Sequence, residues 1–117
     1  MRQVIHHVPD SHLNAYSRFK LALTEDTPTI KPYDEAKWAE LDDGKSELVE
    51  ESLALLEALH KRWVYLLEHM TPSDFGRMLD HPEWEKPGSL DVMLALYAWH
   101  GKHHVAQITE LRRREGW

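Results

Sequence analysis

Three long segments of this chain carry apolar residues at the spacing of an α-helix, and this periodicity limits the possible folds more than any other feature. The segments run from about Arg2 to Leu23, from about Ser46 to Met70 and from about Ser89 to Glu115. Apolar side chains that recur every three or four residues line one face of a helix, and that face must be buried. Strand signals are weak throughout. The sequence therefore predicts an all-α fold, built as a helical bundle.

The first of these predicted helices contains a proline, which bears on where its regular part begins. Pro9 lacks a backbone N–H, and an interior proline costs a helix about 3 kcal/mol. We therefore expect either a kink at Pro9 or a regular helix that begins near Val8. The apolar face predicted for this helix comprises Val4, Ile5, Val8, His12, Tyr16, Phe19 and Leu23.

The segment after the first helix is less regular. Residues 24–45 hold Pro28 and Pro32 and predict a long connection between helices. Within it, Ala36 to Leu41 are expected to form one short turn, and Asp42 to Gly44 to end the segment. A connection of this length is either functional or a crossover between distant ends of a bundle.

Local signals also predict the ends of the later helices. Ser46 has a side chain that can cap the second long helix. Thr71 followed by Pro72 is typical of the first positions of a helix, and predicts a short helix that extends through Leu79. Residues 80–88 contain two prolines and a glycine and predict a loop.

The composition is that of one globular domain, covering residues 1–117. Of the residues, 42% are hydrophobic and 29% are charged, as in folded proteins. The formal net charge of −6 argues against nucleic acid as a partner, because a surface that binds phosphates is normally basic. We find neither a signal peptide nor an apolar run near the ~20 residues of a membrane span. We therefore expect a cytoplasmic protein without a membrane partner.

Two of the nine histidines stand one helical turn apart in the third predicted helix. Residues four apart share a face, so His100 and His104 can direct two imidazoles to one point. Burying both costs free energy unless they are paired, and a metal ion shared between helices is one such partner. We therefore expect a divalent metal site whose third ligand comes from the His6-His7 pair. The alternative is two core histidines satisfied by neighbouring polar groups.

The other titratable candidates have weaker patterns. His103 lies about 100° round the helix from His104, either exposed or behind the ligands. His60 follows Glu57 as Glu-x-x-His, but a di-iron bundle needs a second copy, so His60 is expected in the core or along a cavity. Asp10 either orients a ligand imidazole or faces water. The histidines that belong to no constellation, and are expected at the surface or in loops, are His12, His69 and His81.

Four segments resemble the YfiT-like branch of the DinB superfamily. They are RQVIHHVPDSH at residues 2–12, PTIKPYDE at 28–35, YAWHGKHHVA at 97–106 and RREGW at 113–117. The resemblance implies a left-handed four-helix bundle that holds one divalent ion with three histidines. Carried over by motif, the ligands are His7, the second histidine of its pair, together with His100 and His104.

The resemblance implies a metal-dependent hydrolase in which Zn²⁺ or Ni²⁺, held by three neutral imidazoles, activates water against a small-molecule substrate. Some relatives are instead S-transferases that use bacillithiol or a similar low-molecular-weight thiol, and the absence of cysteine is compatible with a thiol supplied from outside. A third alternative is a non-catalytic helical oligomer with a vestigial metal site. Candidates for the general acid or base are Asp10, His60 and His103.

The family's first helix precedes the point where this chain begins, so we expect three of the four bundle helices here. Three helices without the fourth expose an apolar groove, which favours self-association. We therefore predict a homodimer or a higher homo-oligomer in which a partner chain completes the bundle.

Overall fold

The computed structural model describes residues 2–115, without the side chains at positions 103–105, 107–109, 111, 112 and 115. Helices occupy most of this range, so the prediction of an all-α fold is confirmed. The elements, in chain order, are α1 (Arg2–Thr24), α2 (Glu35–Ala39), α3 (Asp42–Lys45), α4 (Glu50–Glu68), α5 (Pro72–Phe75), β1 (Met78–Leu79), β2 (Gly88–Ser89) and α6 (Leu90–Glu115).

Helix α1 continues without interruption through its proline. It is helical from Arg2, so the alternative in which regular structure begins near Val8 is wrong. Pro9 is fully buried, and the packing of its ring offsets the lost hydrogen bond. Of the residues predicted to form the apolar face of α1, only His12 and Phe19 are buried. Smaller side chains form much of the surface through which α1 contacts the other elements. The buried residues of α1 are His6, Pro9, Ser11, His12, Ala15, Phe19 and Ala22.

Two short helices, rather than one turn, occupy the connection after α1. The Asp34 carboxylate caps α2 by accepting a hydrogen bond of 3.0 Å from the Lys37 backbone N–H. The Asp42 to Gly44 segment forms the start of α3 instead of ending the connection. A Cβ at Gly44 would lie 2.8 Å from the Ala39 carbonyl oxygen, so this close approach of α3 to α2 requires a glycine.

Helix α4 begins at Glu50, four residues later than the sequence predicts. Its N-cap residue, Val49, provides no side-chain cap. The Ser46 hydroxyl accepts a hydrogen bond of 3.1 Å from the Leu48 N–H. Ser46 therefore shapes the turn before α4 and does not cap the helix.

A hairpin replaces the second half of the short helix predicted between α4 and α6. Thr71 and Asp74 form a reciprocal capping box at the start of α5, with hydrogen bonds of 2.9 and 3.2 Å. The helix ends after one turn, and β1 then pairs antiparallel with β2, which takes Ser89 out of the last helix. The Asp80 N–H also donates to the Pro28 carbonyl at 2.9 Å, which ties the hairpin to the connection after α1.

The core lies where α1, α4 and α6 meet the hairpin. Burying one large apolar side chain contributes about 1.5–3 kcal/mol, so this cluster accounts for much of the stability of the fold. The cluster, called the apolar core below, comprises Ala15, Phe19, Ala22, Ile30, Trp63, Leu79, Leu90 and Met93. In the part of the chain that the structure describes, we find no helix with the length and apolarity needed to cross a membrane.

Candidate metal centre

Two of the predicted metal ligands face each other across the contact between α1 and α6. The ring centroids of His7 and His100 are 5.5 Å apart, and the ring planes meet at 66°. Zn–N bonds are about 2.0–2.1 Å long and the angle at a tetrahedral ion is about 109°, so two imidazoles on one ion have centroids about 5 Å apart. The separation of the His7 and His100 rings is therefore close to that of two imidazoles on a single divalent ion.

The third predicted ligand cannot be placed in the same way. His104 follows His100 by one turn of α6, but its side chain, like that of His103, lies outside the described residues. Among the side chains that are described, no three from His, Cys, Asp and Glu form a group that could hold a metal. The assignment of His7, His100 and His104 as the three ligands therefore stays a prediction. The structure brings two of them, His7 and His100, together.

The other histidine of the N-terminal pair is engaged elsewhere. His6 is 5% exposed, and its Nε2 lies 2.8 Å from the Ser46 carbonyl oxygen. A carbonyl only accepts, so Nε2 carries the proton, and Nδ1 accepts from the Ser52 hydroxyl at 2.6 Å when the ring is neutral. Because both ring nitrogens are occupied, one by Ser46 before α4 and the other by Ser52 in its first turn, this geometry favours His7 over His6 as a metal ligand.

His12 is not at the surface, so that prediction is wrong. The side chain is 4% exposed and stacks on His60, with ring centroids 4.9 Å apart. Its ring also lies 5.8 Å from that of His100. A signal was present in the sequence, because His12 falls on the predicted apolar face of α1. What the sequence lacked was the identity of the residues facing it from α4 and α6.

His60 and His12 form a hydrogen-bonded pair. The His12 Nδ1 and the His60 Nε2 are 2.7 Å apart, so one nitrogen donates and the other accepts. Partial burial lowers the pKa of His60 below its ordinary value, and the neutral imidazole therefore prevails at pH 7. We call His7, His12, His60 and His100 the histidine cluster.

Asp10, a candidate acid or base, lies on a different side of α1 from this pair. It borders a cavity together with His6 and Asp43. Partial burial and the Asp43 charge raise the pKa of Asp10, while the charges of His7 and His6 lower it. Asp10 is therefore electrostatically coupled to His7.

The two remaining histidines lie in the positions expected of them. His69 is exposed at the end of α4, and its Nδ1 donates to the Tyr65 carbonyl at 2.8 Å. His81 stacks on Trp84 in the loop before β2, with ring centroids 5.2 Å apart. Neither residue contacts the histidine cluster through the interactions that the structure describes.

An apolar cavity of about 250 Å³ opens beside the histidine cluster, between α4 and α6. His12 and His60 form its polar edge. Because the His12 ring also contacts His100, this cavity lies beside the candidate metal centre. Its lining residues are His12, His60, Trp63, Val64, Leu67, Leu94, Tyr97, Ala98 and Gly101.

Comparison with known proteins places this arrangement in a family. A protein of Bacillus cereus (strain ATCC 10987 / NRS 248) named "Putative metal-dependent hydrolase" is 57% identical over all 117 residues. The "Putative metal-dependent hydrolase YfiT" of Bacillus subtilis (strain 168) is 53% identical over the same length. The chain spans 66% of the length of each of these curated relatives.

A solved structure shows the same fold. It is described as "YfiT from Bacillus subtilis is a probable metal-dependent hydrolase with an unusual four-helix bundle topology". The match has a TM-score of 0.96 at 53% identity, and it covers 99% of this chain and 66% of the other. Residues 1–108 match the DinB superfamily. The chain therefore belongs to the DinB superfamily.

Proposed function

We propose that this chain carries the metal centre of a metal-dependent hydrolase, in which His7, His100 and His104 hold one divalent ion. The observation that carries the proposal is the 5.5 Å separation of the His7 and His100 ring centroids. The two residues lie on different helices and are far apart in the sequence. The names of the two curated relatives support it. A Zn²⁺ or Ni²⁺ ion in this place supplies a Lewis acid that makes water nucleophilic near neutral pH.

The residues around the ligands orient them. His6 connects α1 to α4 and to the segment before it through two hydrogen bonds, and this holds the adjacent His7 on the side of α1 that faces α6. The His12 ring packs against the His100 ring and limits its rotation. Contacts of this kind keep metal-binding imidazoles in one orientation, which favours binding over free rotation.

Among the candidates for proton transfer, His60 has the position that suits the role best. It borders the apolar cavity beside the histidine cluster, whereas Asp10 borders the other cavity and the His103 side chain lies outside the described residues. The His60 Nε2 faces His12, so a proton exchanged with a substrate would pass through its Nδ1. A neutral imidazole at pH 7 is able to accept that proton.

Metal analysis of protein purified without added metal tests the proposal. We expect about one ion per chain in the wild type and a loss of most of it in His7→Ala, His100→Ala and His104→Ala. His69→Ala is the matched control, because the His69 imidazole is exposed and its described contacts are with Tyr65, outside the histidine cluster, and it should keep the wild-type metal content. Equal metal in wild type and His100→Ala would refute the site.

Activity assays then separate hydrolysis from thiol transfer. The metal-loaded protein is offered a fosfomycin-like or haloaromatic electrophile, with and without a low-molecular-weight thiol. Turnover without thiol supports the hydrolase. Strict dependence on the thiol would overturn it in favour of an S-transferase.

A further inference from the structure

The apolar cavity between α4 and α6 has a lining that selects against charge. No Asp, Glu, Lys or Arg occurs among the described residues that form its wall. Its two ionisable imidazoles, His12 and His60, are hydrogen-bonded to each other. A charged group brought here would lose part of its hydration, and the described lining offers it no opposite charge, which costs free energy.

Aromatic rings form one wall of the cavity. The Trp63 and Tyr97 ring centroids are 6.1 Å apart at an interplanar angle of 63°. His12 lies nearly perpendicular to both, at 5.9 Å from Trp63 and 6.1 Å from Tyr97. Rings pack favourably edge to face at such distances, so this wall offers both edges and faces to a further ring.

The size of the cavity suits a small guest. Its volume is about 250 Å³. Pockets for drug-sized ligands are about 300–1,000 Å³, and an apolar cavity of about 150 Å³ in another protein is large enough to bind benzene. One aromatic ring with a short substituent therefore fits, and a larger ligand would extend into solvent.

The cavity is next to the candidate metal centre. His12 lines the cavity and contacts His100, and Gly101 lines it at the residue that follows His100 in α6. At Gly101 a Cβ would lie 3.8 Å from the His12 Cε1, so a glycine leaves this part of the wall open. A ring held here lies beside any bond that reacts at the metal centre.

We propose that this cavity binds an uncharged aromatic ring, and that the substrate of the hydrolase carries such a ring beside its reactive bond. The second part rests on the proposed function, whereas the binding of the ring does not. The ring contacts Trp63 and Tyr97, and the charged parts of the substrate stay outside.

Binding of fluorobenzene, followed by ¹⁹F NMR, tests the proposal directly. Ala98 lines the cavity, and Ala98→Leu fills part of it with a residue that helices tolerate well. Ala95 is exposed on the same helix but does not line the cavity, so Ala95→Leu is the matched control. We expect saturable binding by the wild type, a dissociation constant raised at least about tenfold by Ala98→Leu, and no change with Ala95→Leu.

A charged analogue provides a measurement that needs no variant. In wild-type protein stripped of metal with EDTA at pH 7.5, 4-fluorobenzoate should bind at least about tenfold more weakly than fluorobenzene, because the described lining offers its carboxylate no cationic partner. The proposal is overturned if the wild type shows no saturable binding of fluorobenzene. It is also overturned if both leucine variants bind as the wild type does, or if the two probes bind equally.

Metal analysis of the same samples separates this proposal from the proposed function. Protein that binds fluorobenzene but holds no metal would refute the hydrolase and leave the aromatic site standing. Protein that holds metal at His100 but does not bind fluorobenzene would refute the aromatic site alone. We expect the wild type to bind both metal and fluorobenzene. Ala98→Leu should weaken the binding of fluorobenzene and leave the metal content unchanged.

Discussion

The apolar core and the histidine cluster both draw on the three long helices, and the core also includes Ile30 and Leu79, but the side chains of the two regions are held by different interactions. In the apolar core, Phe19, Leu79 and Leu90 are fully buried and carry no polar side-chain atom. In the histidine cluster, buried His12 needs a hydrogen-bond partner and finds it in His60. Apolar burial stabilises a fold by area alone, whereas a buried imidazole is tolerated only when its nitrogens are paired.

This difference suggests that the two regions have separate roles. The apolar core holds the helices in place, and the histidine cluster uses that frame to bring together residues that cost stability. Substitutions in the core should therefore change the free energy of unfolding strongly. Substitutions in the cluster should change metal content or pH dependence more than stability.

The largest effect on stability is expected in the core. Phe19→Ala should lower the free energy of unfolding by about 3–5 kcal/mol, because it removes a ring that is 1% exposed and leaves a cavity. Leu21→Ala is the control two residues away, since Leu21 is 39% exposed, and should change stability by less than about 1 kcal/mol. Urea denaturation measures both. Similar losses in the two variants would contradict the contrast between core and surface on α1.

A smaller effect is expected where a histidine is structural. Ser52→Ala removes the hydroxyl partner of the His6 Nδ1 and should cost about 1–3 kcal/mol of unfolding free energy, because a buried nitrogen is left unsatisfied. The metal content should fall far less than in His7→Ala, since His6 supports His7 through α1 and is not itself a proposed ligand. Ser17→Ala, at an exposed position of α1, is the control and should be nearly neutral. Loss of metal in Ser52→Ala, with stability retained, would reverse the roles assigned to His6 and His7.

The smallest effect concerns pH. Partial burial lowers the folded-state pKa of His60 below its unfolded value of 6.5. The unfolded chain therefore binds more protons than the folded chain just below that pH. The contribution of the neutral His60 to the free energy of unfolding is fully present above about pH 6.5 and is lost as the pH falls. His60→Gln should flatten the decrease in unfolding free energy between about pH 7 and pH 5. His69→Gln, outside the histidine cluster, should keep the wild-type slope. An equal slope in wild type and His60→Gln would argue against partial desolvation of the His60 imidazole in the folded chain.

The long helices were predictable because their signal is local. Apolar spacing places α1 and α6 within a residue or so of their observed ends. The start of α4 was not predictable, since Ser46 is drawn into contacts with Leu48 and His6 instead of capping the helix. The strand at Met78–Leu79 was missed for a similar reason: its partner lies ten residues further along the chain, and a two-residue strand has no periodicity of its own.

The sequence by itself determined that the fold is helical and that His100 and His104 share one face of a helix, because the geometry of a helix depends only on residues near each other in the chain. Tertiary structure decided which residues meet across helices: that His7 turns towards His100 while His6 turns towards α4, and that His12 is buried against His60. Periodicity identifies the buried face of a helix but not its neighbours. Those neighbours are set by the packing of side chains that lie far apart in sequence. Polar groups buried by that packing must also find hydrogen-bond partners, and this condition applies to the whole molecule at once.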